Sequence, residues 1–287
     1  MAQWQGQSRG TPLGYKIFLF LLNRVGVRAA YLLLIPVSLY YVLFVPKATK
    51  AIYYYFHNRL NYSPIRALLR TRLNFLVFGQ TIVDKFAIMG GMKNAYSYEF
   101  DGEENLIEMA NTTGGILIGA HMGNWDVASQ FLNDIQKPFN IVMYENELES
   151  MKKLFDQALK EKKIKIIAIK QDLSHIFEIK KVFENKELLC FHGDRFLEGS
   201  KFIEVDFLGE KAKFPHGPFY LATKFKMPYS FVYAMKEPAL HYHLYASKGK
   251  INTGSVEDLV EIYKTQLEEK VKKYPLQWFN YYQFWNH

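Results

Sequence analysis

The sequence predicts an α/β fold: a mixed, mostly parallel sheet flanked by helices, with an N-terminal hydrophobic helical segment that anchors the chain to a membrane. Three observations predict it. Short apolar runs at 116–120, 140–144, 164–169 and 187–192 alternate with helix-like stretches, the pattern of a parallel sheet covered on both faces. An uncharged stretch, Ala29 to Val45, stands near the amino end. Finally, the run Ile116–Ala120 stops at His121-Met-Gly-Asn-Trp-Asp126. Such a strand-to-helix junction is where ligands sit in open α/β sheets. No repeat, low-complexity tract or interior linker divides the rest, so residues 1–46 read as the anchor and 47–287 as one domain.

A chain of 287 residues buries a sizeable core without disulfides or metals. Its 23 Phe, 20 Tyr and 4 Trp make up 16% of the residues, in a chain of net charge +8. That balance points to an anionic, amphipathic partner: phospholipid headgroups, an acidic carrier protein or nucleic acid. The sequence contains no zinc-finger, RNA-recognition or basic-zipper pattern, which argues against nucleic acid. Cys190 stands alone, which excludes an internal disulfide and fits a reducing compartment.

Met1 to Pro12 is a polar lead-in. Tyr15–Leu22 is apolar apart from Lys16, and Arg24 and Arg28 precede the uncharged run. That run is at the lower limit of the roughly 17–25 residues that span a bilayer. Pro36 and Ser38 interrupt it, and Tyr31, Tyr40 and Tyr41 suit an interface. It either crosses once or lies as a kinked anchor in one leaflet. Val45-Pro46-Lys47 offers no small-residue cleavage site, against a signal peptide.

Residues 47–93 predict two helices divided at Tyr62-Ser63-Pro64, with Ser63 as cap. Arg59, Arg66, Arg70 and Arg72 make the region basic, as a solvated face or as a phosphate-facing one. Ile65, Leu68, Leu69, Leu73, Leu76 and Val77 recur at helical spacing, and the stripe reads as core.

Strands are then expected at 96–100, 116–120, 140–144, 164–169 and 187–192, and helices at 105–110, 125–132, 147–162 and 174–184. Gly209 divides two extended segments, a hairpin. A helix follows over 219–225, then an antiparallel strand pair at 229–234 and 241–246. The closing helix, 257–274, is capped by Ser255 and carries Glu257 and Asp258 in its first turn. His241 and His243 alternate along one strand, yet no third ligand lies at metal spacing, so no metal site is expected. His216 lacks a carboxylate placed to serve it and reads as structural.

His121 and Asp126 are little more than a helical turn apart if a helix starts near Met122. A carboxylate there can hold one ring nitrogen and leave the other as a base. Neither Ser129 nor Cys190 lies in a nucleophile elbow.

The string Gly119-Ala-His121-Met-Gly123-Asn124-Trp125-Asp126 resembles the active-site block of the late acyltransferases of lipid A biosynthesis. These lie within the lysophospholipid/glycerolipid acyltransferase superfamily, which shares a His-x-x-x-x-Asp/Glu motif. Further pieces are similar: Phe207-Leu208-Gly209, Pro215-His216-Gly217-Pro218, and a closing Pro275-Leu-Gln-Trp278. The resemblance implies transfer of a fatty acyl chain from an acyl carrier protein or coenzyme A thioester to a hydroxyl, with no resident cofactor. It implies His121 as general base and Asp126 as its orienter. Gly123, Asn124 and Trp125 are then expected to bind substrate. After the strand 187–192, the family's Asp-Gln pair corresponds to Asp194-Arg195. In glycerolipid relatives an arginine near this point helps hold substrate phosphate, so Arg195 takes that expectation, with Asp194 beside it. Gly217, at the start of a helix, presents amides suited to an anion or an oxyanion.

Three features depart from the lipid A branch. Asp126 stands where Glu is usual, Arg195 where Gln is, and residues 142–146 lack the arginine common there. The first and the last bear on the acceptor, which is lipid A-like or another bacterial lipid. The implied partners are membrane lipids and acyl carrier protein, and the implied location is the cytoplasmic face of a bacterial inner membrane. The rivals are a non-catalytic lipid-binding membrane protein of the same fold and a thioester hydrolase.

Overall fold

Ile116, Leu117 and Ile118 form the middle of the sheet, and every residue of their strand, β2 (Gly115–Gly119), is buried. The computed structural model describes residues 22, 24–132, 135–144, 164–170, 172, 174–196 and 199–285. On one side of β2 stand β5 (Leu188–His192), β3 (Phe139–Tyr144) and β4 (Ile164–Ile169), all parallel to it. On the other side β8 (Tyr229–Glu237) is also parallel, and β9 (His241–Ala246) pairs antiparallel to it. β1 (Ser97–Asp101) completes the edge, parallel to β9. The sheet is therefore mixed and mostly parallel, as the sequence predicts. The chain moves from β2 outward to β3 and β4, returns to β5 and crosses to β8. That places β2 at the topological switch.

The helices that cover the sheet follow the expected order. They are α4 (Glu103–Asn111), α5 (Trp125–Phe131), α6 (His175–Glu184), α7 (Gly217–Lys224) and α8 (Val256–Lys273). A capping box between Ser255 and Asp258 starts α8. Its apolar stripe, including Leu259, Tyr263 and Leu267, is buried. The hairpin β6 (Phe202–Phe207) and β7 (Glu210–Pro215) turns at Leu208 and Gly209, both with positive φ. The expected helix at 147–162 lies outside the described residues.

Ahead of the sheet come α1 (Val27–Phe44), α2 (Pro46–Tyr54, continued by a wider turn to Arg59) and α3 (Pro64–Ala87). Here one expectation is overturned. The leucine stripe of α3 is not core: Ile65 is 77% exposed, Leu69 58% and Leu68 51%. The inward side of α3 carries Ala67, Thr71, Asn74 and Asp84 instead. Helical spacing shows that such residues share a face, and only the partner decides whether that face is inward. In α3 the polar side finds protein partners, because Asn74 Nδ2 donates to the carbonyls of Leu276 and Trp278. α1 packs on α3 and likewise leaves Leu32, Leu43 and Phe44 exposed.

Asp84, at 0% exposure, joins these helices to the sheet. Lys236 Nζ donates to its carboxylate at 2.8 Å, as does Tyr96 at 2.8 Å, and the hydroxyls of Tyr31 and Tyr242 donate too. A buried carboxylate is tolerated when paired and hydrogen-bonded in this way.

Candidate active site

β2 and β5 are adjacent and in register, Gly119 opposite His192, so the segments leaving their carboxyl ends meet. One brings His121 and the other Asp194. The His121 amide donates to both Asp194 carboxylate oxygens, at 3.1 and 3.0 Å, and its Nδ1 lies 2.7 Å from Oδ1. Trp278 Nε1 donates to Oδ2 at 3.1 Å. Asp194 is 1% exposed. Burial alone would raise its carboxyl, but His121, the hydrogen bond from it and the Arg195 guanidinium outweigh burial. They hold it well below the usual carboxylate range. An ionised carboxylate only accepts, so the proton of His121 sits on Nδ1 and the lone pair on Nε2. The result is an oriented imidazole base.

The His121 loop is fixed by its backbone. The Met122 amide donates to Ala120, Gly123 to Gln277 and Asn124 to Ala234, while Phe279 donates to the His121 carbonyl. Gly123 has φ +65°, and a Cβ there would lie 2.1 Å from the Ala234 carbonyl oxygen. Only glycine fits. These bonds hold Met122 and Gly123 in bridges to Trp278 and Ala234, and α5 starts at Trp125, where the helix 125–132 is expected to begin. The Asn124 side chain is 4% exposed, and its amide donates to the Thr81 carbonyl and the Tyr242 hydroxyl. It ties the loop to α3 and to the Asp84 cluster.

His121 opens on a cavity of ≈ 1040 Å³ with mostly apolar walls, at the upper end of the roughly 300–1,000 Å³ of small-molecule sites. Phe78, Ile82 and Phe86 of α3 form one wall, and Leu117, Cys190 and Val232 of the sheet form another. Burial pushes the Cys190 thiol up to about 12, so it is no thiolate nucleophile.

The family model for bacterial lipid A biosynthesis acyltransferase matches residues 70–287. The chain belongs to that family. Its fold can also be set beside the crystal structure of the 1-acyl-sn-glycerophosphate (LPA) acyltransferase of Thermotoga maritima. Identity there is 13%, coverage 84% of this chain and 95% of that one, and the TM-score 0.41. No curated protein matches. Family membership places the chain among acyltransferases of lipid biosynthesis.

For an acyltransferase of this family the site residues expected from sequence fall into three groups. Gly123, Asn124, Trp125, Arg195 and Gly217 all line the cavity with His121. Asp194 does not; it was expected to meet substrate but stands behind His121 as its carboxylate partner. Asp126, the expected partner, is the second residue of α5, and its side chain lies outside the described residues. Arg195 reaches the cavity while its guanidinium donates to the Phe279 carbonyl at 2.6 Å and lies over the Tyr282 ring.

Two residues that touch the His121–Asp194 pair were not singled out from the sequence. Trp278 contacts Asp194, although its Pro-x-Gln-Trp segment was visible in the sequence. His192 packs on His121, with ring centroids 4.2 Å apart, and meets Trp125 edge-on at 4.8 Å.

The histidines of β9 also gain partners that spacing could not show. Strand pairing brings Glu99 and Glu237 beside His241, with candidate ligand atoms within 4.8 Å of one another. His243 meanwhile pairs with Glu99 at 2.8 Å and with Asp101 at 3.0 Å. A third potential ligand thus comes from neighbouring strands rather than from the same segment.

Proposed function

We propose that the protein is a membrane-bound acyltransferase that moves a fatty acyl chain from an acyl carrier protein or coenzyme A thioester to a hydroxyl of a lipid acceptor. The acceptor is lipid A-like or another bacterial lipid. The observation that carries the proposal is a histidine held on Nδ1 by a buried carboxylate, with its Nε2 side at a large apolar cavity. His121 Nε2 removes the proton of the acceptor hydroxyl as that oxygen attacks the thioester carbonyl. Asp194 holds the ring and steadies its cationic form. When the tetrahedral intermediate collapses, the carbon–sulfur bond breaks and the imidazolium returns the proton to the departing thiolate. The acyl chain lies in the apolar cavity. Arg195 and the amino end of α7 at Gly217 face the anionic part of a substrate. The chemistry needs no resident cofactor.

The outward leucines of α3 and the exposed apolar side of α1 support seating of this face in a bilayer. The hydropathy and length of both helices fit that role. We place the site on the cytoplasmic face of the inner membrane, where thioester donors are made.

The test is intact-lipid mass spectrometry of cells lacking the gene, complemented with wild type or His121→Ala. One lipid class should lose a single acyl chain, and only wild type should restore it. Equal restoration by both versions rules out His121 as the base.

A further inference from the structure

We propose that His192 is a second catalytic residue, whose imidazole N–H donates to the oxyanion that forms on the thioester carbonyl oxygen. The inference rests on the acyl-transfer reading above and adds the group that stabilises its transition state.

Acyl transfer through a tetrahedral intermediate needs donors aimed at the developing oxyanion. Backbone amides commonly supply them, but those of the loop carrying the base are engaged. The His121 amide goes to Asp194, Met122 to Ala120, Gly123 to Gln277 and Asn124 to Ala234. On the adjacent strand end, the Gly193 amide goes to Gly119. With these amides spent within the fold, a side chain beside His121 is placed to supply a donor.

His192 meets that requirement. It lies at the end of β5, opposite Gly119 in register, and lines the cavity with His121. Its ring is 4.2 Å from that of His121, within reach of the same reacting carbonyl, and the Trp125 edge contact fixes its plane. Among the described residues neither of its nitrogens takes part in a hydrogen bond, so its N–H is available to a ligand. Burial, His121 and Arg195 hold its pKa well below the ordinary histidine value, against the opposing pull of Asp194. It stays neutral when His121 becomes cationic, and so avoids two adjacent imidazolium ions.

The step balances without proton transfer to His192. The acceptor O–H proton goes to His121 and the new carbon–oxygen bond forms. The carbonyl π pair moves to oxygen, and the His192 N–H bonds to that oxygen until the carbon–sulfur pair leaves.

The experiment compares wild type, His192→Leu, His192→Met and His192→Gln in detergent. Lauroyl- and palmitoyl-coenzyme A and their acyl carrier protein counterparts serve as donors, and a total lipid extract as acceptor. Thiol release and acylated products are followed, with circular dichroism to establish folding. Leu and Met should each lower kcat by about 10²–10³-fold, the usual effect of losing one oxyanion donor, with KM for the thioester within about threefold. Gln, which restores an N–H, should recover at least tenfold of that loss. The proposal is overturned if Leu or Met keeps kcat within threefold, if only KM rises, or if Gln is as impaired as Leu. A wild type that consumes none of the thioesters overturns the acyl-transfer reading and this one together, an outcome distinct from an active wild type with active His192 variants.

Discussion

On the proposed mechanism, Asp194→Asn separates orientation of the base from everything else the carboxylate does. In wild type the anion receives the His121 amide, His121 Nδ1 and Trp278 Nε1. Asparagine has one acceptor oxygen and one donor group. The His121 amide and the indole are obligate donors and will claim the oxygen. The Asn NH₂ then faces Nδ1, which becomes an acceptor, so the ring proton moves to Nε2. The base is lost while the packing survives. General base catalysis is worth about 10²–10⁴-fold, and the corresponding change in a serine protease triad costs about 10⁴-fold. We therefore expect kcat to fall by about 10²–10⁴ with KM little changed. The fold loses charge-assisted hydrogen bonds of about 1.5–3 kcal/mol, partly offset because a buried anion is no longer desolvated. A net loss of about 1–2 kcal/mol corresponds to a drop in Tm of about 2–8 °C for a chain of this size. The assay is acyl transfer at saturating thioester beside thermal unfolding, with Asp126→Asn measured in parallel. An Asp194→Asn enzyme within threefold of wild type, alongside an inactive Asp126→Asn, would refute the reasoning and return the partner role to Asp126.

Replacing Leu43, Leu68 and Leu69 by Gln removes three outward apolar side chains. At about 1.5 kcal/mol each, liposome binding should fall on the order of 10³-fold with thermal stability nearly unchanged, as cosedimentation would show. Asp84→Ala strands the Lys236 ammonium in a nearly buried site. It should cost about 3–5 kcal/mol by denaturant titration, and Lys236→Met in the same chain should recover part of the loss. His192 has a folded pKa below its unfolded value, so its contribution is fully present above pH about 6.5 and is lost as pH falls. Stability should drop by about 1 kcal/mol between pH 7 and 5.5, and His192→Leu should flatten that slope.

The strands and helices were legible because each carries its own period. The run Ile116–Ala120 is apolar throughout since β2 is covered on both faces, and Ser255 with Asp258 marks the start of α8 by a local capping pattern. Half of the His121–Asp194 pair was legible for the same reason: His121 stands where an apolar strand stops. Its partner was not, because Asp194 is 73 positions away and meets it only through the pairing of β2 with β5. Sequence favours the carboxylate one turn along, while the sheet supplies the one on the next strand. Trp278 was hidden in the same way, since nothing local in the closing aromatic segment says which ring carries a hydrogen bond to Asp194. The α3 stripe failed for a different reason. Its leucines share a face, but the direction of that face depends on whether the surrounding solvent is water or lipid, and hydropathy alone does not say which.

That inverted helix bears on why transfer would win over hydrolysis. The outward side of α3 carries the exposed Ile65, Leu68 and Leu69, its inward side binds the carbonyls of Leu276 and Trp278 through Asn74, and Trp278 and Phe279 hold Asp194 and His121. Phe78 and Ile82 of the same helix also form a wall of the cavity, and Ile82 is among the exposed apolar residues. On the proposed reading, a lipid acceptor leaving the bilayer along α3 passes Phe78, Ile82 and Phe86 on its way to Nε2. Bulk water must leave its hydrogen bonds to follow. A polar group carried into such surroundings without a partner costs on the order of 1–3 kcal/mol on protein scales, whereas the acceptor hydroxyl arrives carried by its own buried chains. On that reading the site discriminates by access rather than by contacts to the hydroxyl. It follows that polar substitutions at Phe78 or Ile82 should raise thioester hydrolysis relative to transfer while leaving the His121–Asp194 pair intact.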